Sequence, residues 1–246
     1  MIGFLDDLKI KIDPKTRLAL MIAFLLLFVN FLSIQITNID LIFLNYWLEN
    51  KIFSGLFVIL CFLFITNGAN LIDGFNGLLT INLIIINSIL LFINLENNHL
   101  EFSFFLTGQI IILISFLLFN FPKAKIFLGD SGSYLFGSLV ALNVIFTNNL
   151  NPLISSFFFC ILLFYLFFEV FFSFVRKLYQ KKSPVLPDNE HLHMLSFKLL
   201  NKAFDTEKSN YLNSIIINSI FFTLVFPSIY FSDSSLACKY WFFSLI

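Results

Sequence analysis

Long apolar stretches broken by short polar ones set the pattern of the chain. Runs near the roughly 20 residues that cross a bilayer core lie at about 18–36, 52–72, 78–95, 102–121, 134–146 and 153–175, with a seventh at about 211–231. Residues 39–48 are too few to span, and with Tyr46 and Trp47 they read as a turn of helix at the membrane interface. Residues 67–77 are polar and glycine-rich between two apolar runs, which predicts irregular backbone at a membrane edge or lining a cavity. The pattern predicts an all-α integral membrane protein: a multi-span helical bundle of about seven transmembrane helices, forming a single polytopic domain over 1–246.

Composition excludes the alternative of a soluble globule. Of 246 residues, 59% are hydrophobic and 12% charged, Phe alone accounts for 37, and mean hydropathy is +0.90. A water-soluble fold of this size would lack the polar material to cover its surface. The abundance of Ile, Phe and Asn reads as nucleotide bias rather than function. Cys61, Cys160 and Cys238 are far apart and lack CxxC spacing, so they read as packing residues. Residues 1–17 are polar and charged, unlike a cleavable leader.

Charge placement supplies the orientation. Lys+Arg and Asp+Glu are both 15, so net charge gives no argument for a nucleic-acid partner. With seven spans, one side carries Lys9, Lys11, Lys15, Arg17, Lys123, Lys125, Arg176, Lys177, Lys181, Lys182, Lys198, Lys202 and Lys208, and the other only Lys51 and Lys239. The bias makes the first side cytoplasmic, and an error in the span count would have erased it.

Polar clusters collect on that side. Asp6-Asp7 follows Gly3; alone, such a pair is as readily a solvated helix end. Asn67, Asn70, Asp73 and Asn76 lie among three glycines, where a plain helix break would need no carboxylate. Gly129-Asp130-Ser131-Gly132-Ser133, placed before a helix, offers an oxygen ligand for Mg²⁺ and free N–H groups for a phosphate, although an N-cap would also explain it. His191 and His193 beside acids, Lys and Arg suit an anionic substrate, and their spacing excludes a zinc signature. Such a face suits Mg²⁺-dependent phosphoryl chemistry with a membrane lipid as nucleophile.

The motifs resemble, in order, those of the polyprenyl-phosphate N-acetylhexosamine-1-phosphate transferases, the glycosyltransferase family 4 group that includes WecA-type and MraY-type enzymes. Gly3-Phe-Leu-Asp6-Asp7 is similar to the first aspartate motif. The segment from Asn67 to Gly77 is similar to NxxNxxDGxDGL, and Phe127-Leu-Gly129-Asp130-Ser-Gly132-Ser133 to F-M-G-D-x-G-S. Ser183-Pro184, Pro187-Asp188 and His191-Leu-His193 resemble the SPxxPDxxHxHH signature of the WecA-type branch.

The resemblance implies transfer of a HexNAc-1-phosphate from a UDP-amino sugar to undecaprenyl phosphate, with release of UMP. The product would be the first lipid-linked sugar of a cell-envelope polysaccharide, made at the cytoplasmic face of the inner membrane. By that likeness Asp130 holds Mg²⁺, or Mn²⁺ in its place. Asp6 and Asp7 deprotonate or orient the lipid phosphate, and Asp73 with Asn70 and Asn67 completes the polar site. Phe127 stacks on uracil, Asn76 bonds its edge, Ser131 lies beside the phosphates, and His191 and His193 contact the diphosphate or sugar. The implied partners are the polyprenyl phosphate, the UDP-HexNAc and the bilayer, and the assembly could be a homodimer.

Departures from the family pattern are Asn76 in place of the second Asp, Met194 in place of a third His, and the absence of spans before the first motif. The last of these suggests a truncated or mis-started sequence. An inactive family member serving as a membrane scaffold or binding protein is the alternative. A transporter would need ionisable residues at mid-bilayer, and only Glu169 qualifies. Glu169 corresponds loosely to an Asp in the same helix of the family, or else pairs with a nearby basic residue.

Overall fold

The computed structural model describes residues 2–8, 13–37, 39–183 and 189–246, and among them every regular element is a helix. In chain order these are α1 (Ile2–Asp7), α2 (Pro14–Phe31), α3 (Ile42–Leu48), α4 (Lys51–Ile72), α5 (Leu78–Glu96), α6 (Leu100–Asn120), α7 (Gly129–Leu150), α8 (Ser156–Leu162), α9 (Phe164–Tyr179), α10 (Leu192–Leu200), α11 (Thr206–Val225) and α12 (Ser235–Ser244). Caps mark several starts: the Asp13 side chain accepts from Lys15 N–H before Pro14, and Asn50 from the N–H groups of Ile52 and Phe53.

By length and composition α2, α4, α5 and α6 can cross a membrane, as can α11 with the 3₁₀ turn Phe226–Phe231 that continues it. The pair α8 and α9, bent by 75° at Leu163, would be a sixth span. The expected straight span over 153–175 is therefore broken. The expected span over 134–146 is part of α7, whose 22 residues are long enough but too polar to count on apolarity. Its polar side chains turn inward: Ser133, Asn143 and Thr147 are buried, as polar residues of membrane bundles are.

Helix α4 extends further than the polar pattern suggests, through Asn67, Gly68 and Asn70 to Ile72, so the irregular segment shrinks to the turn before α5. That turn closes with Gly77 at φ 76°, its N–H donating to Asn120 Oδ1. The asparagines have structural work. Asn143 Nδ2 donates to Asn87 Oδ1 and Gln109 Oε1, both at 2.9 Å, which ties α7 to α5 and α6 in the bundle interior.

Polar contacts sort the loops into two groups, as the charge bias predicts. At one end Thr37 donates to Asn149, Asp40 is bonded by Ser155 and Ser156, and Ser155 N–H donates to Ser232 O. At the other, Lys123 pairs with Glu207 at 2.6 Å and Asn76 bonds to both Pro122 and Asn210.

Helix α4 crosses α9 closely. A Cβ on Gly68 would lie 2.2 Å from the carbonyl oxygen of Leu166, so only glycine allows the approach. Gly68→Ala should therefore lower the apparent Tm in detergent, in line with the ~1–3 kcal/mol of an overpacked contact. Gly55→Ala, with open space around it, should leave Tm unchanged or raise it. Equal effects of the two substitutions in thermal unfolding would contradict this packing.

Candidate functional site

The site begins where the amino-terminal segment meets the start of α7. Asp7 Oδ1 accepts from the Asp130 N–H at 3.0 Å, and Oδ2 accepts from the Ser131 N–H at 3.0 Å and from the Ser131 hydroxyl. Gly129 sits at φ 69°, where a Cβ would be strained and would lie 2.9 Å from Asp7 Oδ1. Gly3 lets α1 approach, since a Cβ there would lie 2.4 Å from the Asp130 carbonyl. The N–H groups expected to be free for a phosphate are thus held by an anion from the chain itself, because a helix N-terminus attracts negative charge. Burial works against ionisation of Asp7, but the Ser131 hydroxyl and the two N–H groups outweigh it and hold the carboxyl below its usual range.

Asp130, in the first turn of α7, faces other partners. Its Oδ1 accepts from Asn70 Nδ2 at 2.9 Å, and that amide also reaches Ser133 Oγ at 3.0 Å. Its Oδ2 lies 3.6 Å from an Arg17 guanidinium nitrogen, both side chains being about one-third exposed. Asp73 follows the last residue of α4. Burial pushes its carboxyl up to about 7, and the charges of Asp130 and Asp7 add to the rise. Carboxylates from three separate segments therefore share one electrostatic neighbourhood.

The donor set fits a hard divalent cation. Mg²⁺ is commonly held by one or two carboxylates, with substrate phosphates and water completing its shell; here Asp130 is about one-third exposed and Asp73 is destabilised by burial and by its neighbours' negative charge. Among the described residues no group of three or more His, Cys, Asp or Glu is placed to hold a metal without such help.

The remaining expected residues are spread around this centre. Asn67 Nδ2 donates to Leu63 O within α4. The Asn76 N–H donates to Asn210 Oδ1 and its Nδ2 to Pro122 O, both at 2.9 Å, so this side chain ties the α4–α5 turn to the α6–α7 loop. Phe127 stands 76% exposed in that loop. The Asp6 side chain, Lys9, Lys11, and Pro184, Pro187 and Asp188 of the signature lie outside the described residues.

His191 and His193 are not an exposed pair. Both are buried, their rings parallel with centroids 5.5 Å apart, and both turn Nδ1 to Glu169, at 3.0 and 3.5 Å. The basic partner considered for Glu169 is thus the histidine pair. His193 packs edge-on against Phe75, two residues beyond Asp73, which sets this centre beside the α4–α5 turn. Arg17 and Tyr165 were not singled out in the sequence. Arg17 stands in the first turn of an apolar helix, where a cation reaches the membrane edge; Tyr165 stands one turn before Glu169, a spacing that puts both on one helix face.

The chain has relatives among known proteins. The sequence profile described as glycosyl transferase family 4 matches residues 1–148. The chain is 34% identical over 148 residues to the undecaprenyl-phosphate alpha-N-acetylglucosaminyl 1-phosphate transferase of Thermotoga maritima, covering 59% of this chain and 44% of that protein. It is 33% identical over 150 residues to the phospho-N-acetylmuramoyl-pentapeptide-transferase of Clostridium perfringens, covering 57% and 47%. To the enzyme of that description from Streptococcus agalactiae it is 32% identical over 152 residues, covering 57% and 44%. The matched segment spans less than half the length of these relatives.

The raised Asp73 sets a pH test. Its carboxyl keeps a proton in the fold up to about 7, whereas its ordinary value is 3.8. The unfolded chain therefore releases that proton first, and stability falls as pH rises through this window. In metal-free detergent solution, Asp73→Asn should match the wild-type apparent Tm at about pH 4 and exceed it at about pH 8. The same difference at both pH values would contradict the assignment.

Proposed function

Since the chain belongs to glycosyl transferase family 4, we propose that it transfers the phospho-HexNAc group of a UDP-amino sugar to undecaprenyl phosphate and releases UMP. The reading is carried by the meeting of Asp7, Asp73 and Asp130 with Asn70 and Arg17 at one end of a bundle of membrane-length helices. On the positive-inside bias that end is cytoplasmic, at the inner membrane, where a water-soluble nucleotide sugar and a lipid phosphate can both arrive.

In the reaction, an oxygen of the lipid phosphate forms a bond to the sugar-bearing phosphorus. The bond from that phosphorus to the bridging oxygen breaks, and UMP leaves with the electron pair. Charge neutralisation and positioning are the main demands on the site. Asp130, with Asp73, would hold Mg²⁺ or Mn²⁺, which supplies neutralisation of the diphosphate. Arg17, beside Asp130, adds a guanidinium that can pair with a phosphate once the carboxylate has another partner. Asp7 is fixed on α7, and Asp6, its neighbour in sequence, would receive the lipid-phosphate proton or orient that group. Asn70 holds Asp130 by its amide. Phe127, exposed in its loop, stacks on the uracil, with Asn67 and Asn76 nearby in the nucleotide site. His191 and His193 meet the diphosphate or sugar.

A cavity of about 270 Å³ supports a lipid acceptor. Gly3, Thr66, Ser131 and Tyr134 line it at the Asp7 end, and Met21, Phe24 and Leu25 continue it along α2. A cavity lined by hydroxyls as well as apolar side chains is compatible with a phosphate on a polyprenyl chain.

Membranes carrying the protein should exchange labelled UMP into UDP-HexNAc only when polyprenyl phosphate and Mg²⁺ are both supplied. Asp130→Asn should lower this exchange by about 100-fold or more, given the several kcal/mol that metal-bound charge stabilisation contributes. Unchanged exchange in Asp130→Asn would remove the metal assignment. No exchange by the wild type with any UDP-amino sugar would leave the scaffold reading in its place.

A further inference from the structure

The bundle holds a second polar centre that the carboxylate cluster does not use. Glu169 is 5% exposed within the apolar helix α9 and faces two imidazoles and a backbone N–H of one neighbouring segment. Oε2 takes His191 Nδ1 at 3.0 Å, and Oε1 takes the Leu192 N–H at 3.0 Å and lies 3.5 Å from His193 Nδ1. The Leu192 N–H is the first of α10, so the carboxylate also caps that helix from another part of the chain.

Every other restraint on His193 points the same way. The Tyr165 hydroxyl lies 3.4 Å from its Nδ1, its carbonyl accepts from Asn213 Nδ2 at 2.9 Å, and Phe75 supports the ring edge-on. Helix α9 itself cannot slide, because Leu166 is seated against Gly68 one turn before Glu169. Yet His193 Nε2, at 0% exposure, has no hydrogen-bond partner among the described residues. An unpaired buried nitrogen costs free energy that a partner from outside the chain would recover. The unpaired atom lies on a ring that the Asp73 turn touches through Phe75.

We infer that Glu169 is a positioning residue for the transfer: it holds His191 and His193 with hydrogen on Nδ1 and so reserves Nε2 of His193 for the donor substrate. The inference rests on the transferase reading above and adds a residue to it. A carboxylate is needed because it offers two acceptor oxygens to two Nδ1–H groups. An amide in its place offers one oxygen and one NH₂. The ring facing that NH₂ must turn Nδ1 into an acceptor, which moves its hydrogen to Nε2 and blocks the reserved atom.

Nitrogen NMR of the whole chain labelled in histidine tests this directly, because there are three histidines in all, His99, His191 and His193. The wild type should show hydrogen on Nδ1 for both His191 and His193. In Glu169→Gln one of the two should move its hydrogen to Nε2, and kcat for UMP exchange should fall by about 100-fold while KM for the UDP-sugar changes by less than about threefold. Glu169→Asp, which keeps both acceptors, should retain the wild-type hydrogen pattern and recover part of kcat. Retention of both Nδ1 hydrogens in Glu169→Gln, or full turnover by that variant, would overturn the inference. A wild type that performs no exchange would instead sink the transferase reading, whatever the spectra show.

Discussion

Both carboxylate oxygens of Asp7 are taken up by the first turn of α7, and the candidate site depends on that joint. It binds a segment at the amino-terminal end to a turn more than a hundred residues later. Helix packing alone would let the two slide at a membrane edge; two N–H groups and a hydroxyl converging on one carboxylate fix both the distance and the angle. Two glycines make the approach feasible, Gly3 by lacking a side chain and Gly129 by accepting positive φ. Asp130 is then delivered with its own carboxylate turned to Asn70 and Arg17. The chain's own acid thus occupies the helix terminus that a phosphate could have used.

Electrostatics follow from this geometry. Asp7 and Asp130 are fixed close enough to Asp73 for their charges to raise its carboxyl, already disfavoured by burial. A proton relieves that repulsion, and on the proposed function a divalent cation would do the same. Around the Glu169 centre the balance is struck differently: one buried carboxylate is shared by two imidazoles and a helix N–H. Phe75 links the two centres mechanically, its ring against His193 and its backbone next to the Asp73 turn.

Much of this was legible in the sequence, for a physical reason. Lipid forces charged loops to the membrane edges, so Lys and Arg carry an expectation of sidedness, and in the fold Asp7 meets the start of α7 while Phe75 of the α4–α5 turn meets His193. What the pattern hid were features set by side-chain geometry. Asn67 to Ile72 looked like loop because Asn and Gly disfavour helix, yet the buried surroundings of α4 carry the helix through them. The bend at Leu163 has no local signal, since neither proline nor glycine marks it. Asn87 and Asn143 read as compositional noise, but in the interior they bond to each other and, with Asn94 and Thr147, tie α5 to α7. Glu169 could be placed between two readings only by seeing which bases it meets.

The most direct test of the central claim, that separate segments build one cation site, is a Mn²⁺ titration of the detergent-solubilised protein at about pH 8, followed by the EPR signal of the free ion. One bound ion per chain is expected, lost in Asp130→Asn and in Asp73→Asn alike and kept in Glu169→Gln. Binding that survives either aspartate substitution unchanged would contradict the account.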